Sequence, residues 1–194
     1  MCRQIVSTGT ATWLLLVVGS TVMAADEDRV LFEFGTPDAA KEWQTVNDGV
    51  MGGVSDGQFK ISPEKTLDFL GTLSLENNGG FASVRSKPKK LNLEAGDTLV
   101  ARVRGDGREY SLNLYTARRQ AAFSYRAMFT TKKDEWIEVS IPLDKFQATS
   151  FGRVVRDQSL DPGEVNGLGI LLGDKKAGPF RLEVEWIKVH RQSR

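Results

Sequence analysis

The stretch Phe180-Arg181-Leu182-Glu183-Val184-Glu185-Trp186 alternates apolar and charged residues without a break. A period of two sets one group of side chains against a core and the other in water, the pattern of a half-buried strand. The same period returns upstream in Leu99, Ala101 and Val103, and again in Ile137, Val139 and Ile141. Shorter runs of strand character occupy 30–34, 59–61, 67–75, 81–85, 110–115, 121–130 and 168–172. Turn chemistry separates them: Gly105-Asp106-Gly107, which reads as a hairpin turn, Lys132-Lys133-Asp134, Asp161-Pro162-Gly163, and 173–179. Nine or ten short strands, with no helical pattern longer than 37–43, predict an all-β antiparallel β-sandwich of the jelly-roll type. Leu168-Gly169-Ile170-Leu171-Leu172 is apolar in both phases and is expected to be a central strand covered on each side. Residues 149–165 alternate little and read as a long surface loop.

Two glycine-rich runs stand apart from the strands. The first is Asn47-Asp48-Gly49-Val50-Met51-Gly52-Gly53-Val54-Ser55-Asp56-Gly57, and the second is Asn77-Asn78-Gly79-Gly80-Phe81-Ala82-Ser83-Val84-Arg85. Glycine accepts positive φ and close backbone approach, and Asn and Asp close turns with their own side chains, so each run specifies one backbone path. Together they resemble the signature of the complex I intermediate-associated protein family, the thirty-kilodalton assembly factors. Trp43 before the first run, Trp136 with Val139 to Leu143, and a last strand over 178–187 follow the same order. The resemblance implies a galactose-binding-like jelly roll, similar in architecture to carbohydrate-binding modules, and a non-catalytic role in assembly. It also implies that Asn47, Asp48, Gly49, Met51, Gly52, Gly53 and Ser55 matter, and Asn78, Gly79 and Gly80 join them as candidates from the second run. Two readings stand open for these residues. Either they shape the fold, with the turn tucking Val50 and Met51 beneath a sheet edge, or they contact a partner.

Residues 1–24 have the tripartite pattern of a secretory signal peptide: Arg3, an apolar stretch over 11–18, and Val22-Met23-Ala24 at a cleavage site. The apolar run falls short of the roughly 20 residues a membrane span needs. The expectation is an exported protein, periplasmic or extracellular, with 25–194 forming one jelly-roll domain. Such an export differs from the compartment in which the family's assembly role is carried out. Cleavage removes the only cysteine, Cys2, so neither a disulfide nor a thiol would remain. A domain of this length buries enough surface to fold without one. With 26 basic and 25 acidic residues, the chain offers no electrostatic reason to bind nucleic acid or anionic lipid.

Catalytic chemistry finds little footing. Gly53-Val54-Ser55-Asp56-Gly57 matches a nucleophile-elbow pattern, but strand character follows it where a helix is needed, and the single histidine, His190, lies near the C-terminus. Ser55 reads instead as a turn cap. Zinc and other transition metals lack ligands, and Asp48, Asp56, Glu76, Asp106 and Asp174 read as solvated turn carboxylates rather than calcium ligands. No acidic pair is singled out for glycoside hydrolysis, and the glycines fit no phosphate cradle. No enzyme, cofactor or metal is expected.

What remains is binding. Arg85, Arg102 and Arg126 occupy outward phases, accompanied by Asn113, Tyr115, Ser124 and Met128. They are expected to line a concave sheet face, with guanidinium forks and Tyr115 as contacts. Trp43, Trp136 and Trp186 are expected at the core or its edge. The function these residues support is a protein-interaction or chaperone-like module with a protein client. An exported carbohydrate-binding module is the alternative, to be recognised by flat exposed aromatic rings.

Overall fold

The longest strand, β13 (Gly178–Arg191), organises one of two antiparallel sheets in the computed structural model, which describes residues 27–117 and 123–192. In this first sheet β3 (Asp56–Ile61), β4 (Leu67–Leu73), β13, β6 (Thr98–Arg104) and β9 (Trp136–Pro142) lie side by side. β1 (Glu27–Glu33) continues the β4 edge of β13, pairing with its C-terminal half. The second sheet runs β11 (Arg153–Val154), β10 (Gln147–Ser150), β8 (Phe123–Thr130), β7 (Glu109–Thr116), β12 (Val165–Leu172), β5 (Ala82–Ser86) and β2 (Trp43–Thr45). The fold is therefore the antiparallel sandwich that the alternation predicts. The residues 1–24 read as a signal peptide lie outside the described residues, as do 121 and 122 at the start of the strand expected over 121–130.

The inward phases of the two sheets meet in one core. Leu67, Phe69, Leu99, Val103, Leu182 and Val184 from the first sheet face Tyr110, Leu112, Leu114, Leu168, Ile170 and Tyr125 from the second, all essentially inaccessible. Phe69 packs on Phe180 with ring centroids 4.8 Å apart. Trp43 joins the layers, 5.0 Å from Phe32 and 5.8 Å from Phe34. Trp136 and Trp186 are not core residues: they face outward under Arg104 and Lys188. The reason for Trp186 is a bulge in β13 between Val184 and Trp186. Before it Phe180, Leu182 and Val184 point inward; after it Ile187 and Val189 do, so Trp186 turns out beside Arg102.

Gly105-Asp106-Gly107 is a corner and not a hairpin, because β6 and β7 belong to different sheets. Gly105 bridges to Lys133, where a Cβ would lie 2.5 Å from the Thr131 side chain. Arg108 clamps this end by donating to Asp174 at 2.7 and 3.0 Å and to the Pro179 carbonyl at 3.1 Å. Asp106 accepts from Tyr110 Oη at 3.1 Å and from the Arg181 amide at 2.9 Å. Asp174 is thus a buried partner, against the expectation of a solvated turn acid. The loop expected over 149–165 begins with the β10–β11 hairpin. Helical elements among the described residues are short 3-10 turns, and none is long and apolar enough to cross a membrane.

Candidate functional site

The two glycine-rich runs form one unit, and Asp48 is its centre. A 3-10 turn over Asp48–Met51 ends at Gly52, whose φ of 89° lies in the left-handed region. The turn carries the Asp48 carboxylate under the surface, where it is fully buried. There Oδ2 accepts from Ser55 Oγ at 2.6 Å, Gly80 N at 2.7 Å and Phe81 N at 3.3 Å, while Oδ1 accepts from Ser55 N at 2.9 Å. Two glycines make room for it: a Cβ on Gly53 would stand 2.4 Å from Asp48 Cγ, and one on Gly79 2.5 Å from Oδ2. Burial works to raise the Asp48 pKa, but the Ser55 hydroxyl and the Gly80, Ser55 and Phe81 amides outweigh it and hold the carboxyl below its ordinary value. Asn47 ties the strands beneath, donating to the Gly57 carbonyl at 2.8 Å and accepting from Ser83 N at 3.4 Å. Asn77 and Asn78 take left-handed backbone, φ 54° and 58°, a conformation asparagine tolerates.

Above this latch the surface is apolar. Val50, Met51, Val54 and Leu75 are exposed by 73, 49, 52 and 46%. Val50 and Met51 are therefore not tucked beneath a sheet edge; the buried member of the turn is the carboxylate of Asp48, read from sequence as solvated. Leu75 joins them because Ser55 Oγ accepts from Ser74 N at 3.0 Å, bringing the end of β4 to the loop. The strand run expected over 67–75 ends instead at Leu73, which leaves Leu75 in the loop. Ser55 is bonded on both sides, and the lone histidine sits on β13 with Nδ1 2.8 Å from Asp28. This serine donates to Asp48 and accepts from the Ser74 amide, the bonding of a cap.

Arg85, Asn113 and Arg126 share the outer face of the second sheet, aligned through Gly169. Tyr115 lies across the same floor: a Cβ on Gly169 would be 3.1 Å from both its Cε2 and Arg85 Cγ. Arg85 stacks over the Tyr115 ring at 5.0 Å and donates through Nε to Ser83 Oγ at 3.2 Å. Burial pushes the Tyr115 pKa up, opposed by Arg85 and by the Asn113 side chain, which lies near without satisfying the hydroxyl. Arg102 does not join this group. It belongs to β6 in the other sheet, 2.5 Å from Glu185 and 3.7 Å from Glu138. The strand phase of Arg102 was legible, but its sheet was not, because pairing across a sandwich is non-local.

The outer face of the first sheet holds a depression of about 400 Å³ lined by Thr66, Asp68, Arg102, Arg104, Trp136 and Glu183. Its charges are largely consumed by one another: Arg104 pairs with Glu183, and Arg181 lies 2.7 Å from Glu183 and 3.6 Å from Asp68. Among the described residues no group of three or more His, Cys, Asp or Glu is placed to hold a metal.

Known structures share this architecture at low identity. The family 11 carbohydrate-binding module of a cellulosomal Clostridium thermocellum cellulase superposes with a TM-score of 0.61 at 12% identity, covering 86% of this chain and 95% of the module. The agarase AgWH50C gives 0.60 at 10% identity over 86% of this chain and 24% of its own. These likenesses concern the fold alone. Among sequences, complex I intermediate-associated protein 30, mitochondrial, of Mus musculus is 32% identical over 186 residues, covering 84% of this chain and 56% of that protein. Its Drosophila melanogaster counterpart is 28% identical over 192 residues, 86% of this chain and 64% of that protein. The chain thus spans less than two thirds of the length of these curated relatives. Both are named as mitochondrial proteins, which overturns the expectation of export to the periplasm or exterior. A leader is read from composition alone, with no folded contacts to test it, and it carries less weight than likeness over the whole folded domain. The family model described as complex I intermediate-associated protein 30 matches residues 32–184, so the latched glycine runs, the corner and the first half of the final strand fall within it, and the chain belongs to that family.

Proposed function

We propose that the protein is a non-catalytic protein-binding module that acts in assembly, presenting Val50, Met51, Val54 and Leu75 to a client. The relatives are named as associated with intermediates of complex I, which supports a protein client and a mitochondrial setting. The observation that carries the reading is the Asp48 latch. A buried carboxylate with four accepted hydrogen bonds fixes a loop whose large apolar side chains nevertheless point to water. Ordered apolar residues gathered on one rim mark an interaction surface, and rigidity lowers the entropy lost on docking.

The carbohydrate reading has the sandwich architecture behind it, but the rings that face outward on the first sheet, Trp136 and Trp186, lie under Arg104 and Lys188. On the outer face of the second sheet the aromatic ring is Tyr115, and Arg85 covers it. The test is complementation of cells lacking the protein with Met51→Asp/Val54→Asp, followed by native-gel migration of the full chain. The variant is expected to keep its unfolding midpoint and to lose co-migration with complex I intermediates. Unchanged co-migration sinks the proposal.

A further inference from the structure

A second surface carries a different chemistry, independent of the loop platform. Arg85 on β5 and Arg126 on β8 occupy the same row of the second sheet, with Gly169 and Asn113 between them. Three strand spacings separate their Cα atoms, about 14 Å, so two extended arginine side chains reach toward one another across that floor. Neither forms an ion pair among the described residues. Arg85 uses only Nε, on Ser83, and Arg126 Nε is buried with no hydrogen-bond partner, as is the Tyr115 hydroxyl. The one acid on this face of β5, β12, β7 and β8 among the described residues is Glu109, four residues along β7 from Asn113, or about 13 Å. Burial lowers the Arg126 pKa, Tyr115 opposes that, and the like charge of Arg85 lowers it further, so the two cations sense each other. Partly desolvated, unpaired arginines are costly in the free protein and attract an anion strongly.

We propose that this face binds an extended acidic peptide segment, with an Asp or Glu carboxylate held between Arg85 and Arg126. A planar carboxylate matches the guanidinium fork and supplies the acceptor that the fold withholds from Arg126. Gly167 and Gly169 raise no side chain from the central strand, so Tyr115 forms the floor of the site. Met128 lies two residues along β8 from Arg126 and is 47% exposed. Two residues of extended chain span about 7 Å, so the segment that fits carries an acid followed two positions away by an apolar residue. A glycan is disfavoured because Arg85 occupies the face of the Tyr115 ring.

The experiment is fluorescence anisotropy on the full chain with labelled eight-residue peptides built on Ser and Gly, containing Glu and, two positions on, Leu. Saturable binding is expected, falling at least tenfold when the peptide Glu is replaced by Gln and when the protein carries Arg126→Gln or Arg85→Gln. The Glu-to-Gln peptide needs no altered protein, so the result stands even if a variant misfolds. Met51→Asp/Val54→Asp is expected to bind the peptide normally, which separates failure here from failure of the loop platform. Equal affinity for the Gln peptide overturns the proposal. So does tighter binding of a phosphoserine peptide or of an oligouronate than of the Glu peptide, because either would reassign the anion's source.

Discussion

Replacing Asp48 by asparagine keeps the shape of the side chain and removes its capacity to accept on both atoms. With the amide oxygen in the place of Oδ2, the bonds from Ser55 Oγ, Gly80 N and Phe81 N survive without their charge assistance. The amide nitrogen then meets Ser55 N–H, donor against donor, where Oδ1 had accepted at 2.9 Å. A buried donor left unpaired costs about 1–3 kcal/mol, and each charge-assisted bond made neutral loses roughly 1 kcal/mol. Burying a neutral amide instead of a charge offsets part of this, leaving a destabilisation of about 2–4 kcal/mol. For a domain of this size that is a fall in Tm of about 5–15 °C, read by calorimetry or denaturant unfolding. The pH dependence provides a second check. The folded carboxyl is depressed, so its contribution is fully present above the unfolded pKa and is lost as pH falls from about 4 through the folded value. The gap between wild type and Asp48→Asn should therefore close in acid. A variant melting within about 1 °C of wild type at neutral pH, or a gap unchanged down to about pH 2.5, refutes the latch.

Gly53→Ala drives a methyl into Asp48 and is expected to cost about 2 kcal/mol or more, whereas Gly49→Ala, with open space around its Cβ, should be nearly silent in the same denaturant titration. At the opposite feature, Arg108→Ala strands the buried Asp174 carboxylate and should lower stability by about 3 kcal/mol. The double variant Arg108→Ala/Asp174→Asn should recover part of that loss, and a strictly additive double cycle would show that the pair does not clamp the corner.

The period-two alternation, read residue by residue, was enough to determine the all-β class, because side-chain direction along a strand is a local property. Nine of the strands were legible from alternation or short strand-like runs and β12 from a run apolar in both phases; β2, β10 and β11 were too short to show a period. The composition of the glycine runs likewise determined that they were shaped loops and carried the family resemblance. Other features were decided only when distant segments met. Asp48 became the buried centre because Gly80 and Phe81, more than thirty residues away, turn their amides toward it. One bulge reversed the phase of β13 and expelled Trp186, an effect of the pairing with β6. Gly105-Asp106-Gly107 looks the same in a hairpin and in a corner, so only the partition of β6 and β7 between two sheets could tell them apart. The same partition sent Arg102 to Glu185 and left Arg85 and Arg126 facing one another. A sequence records which way a side chain points along its own strand, but which strands lie beside it is settled by long-range closure of the sandwich.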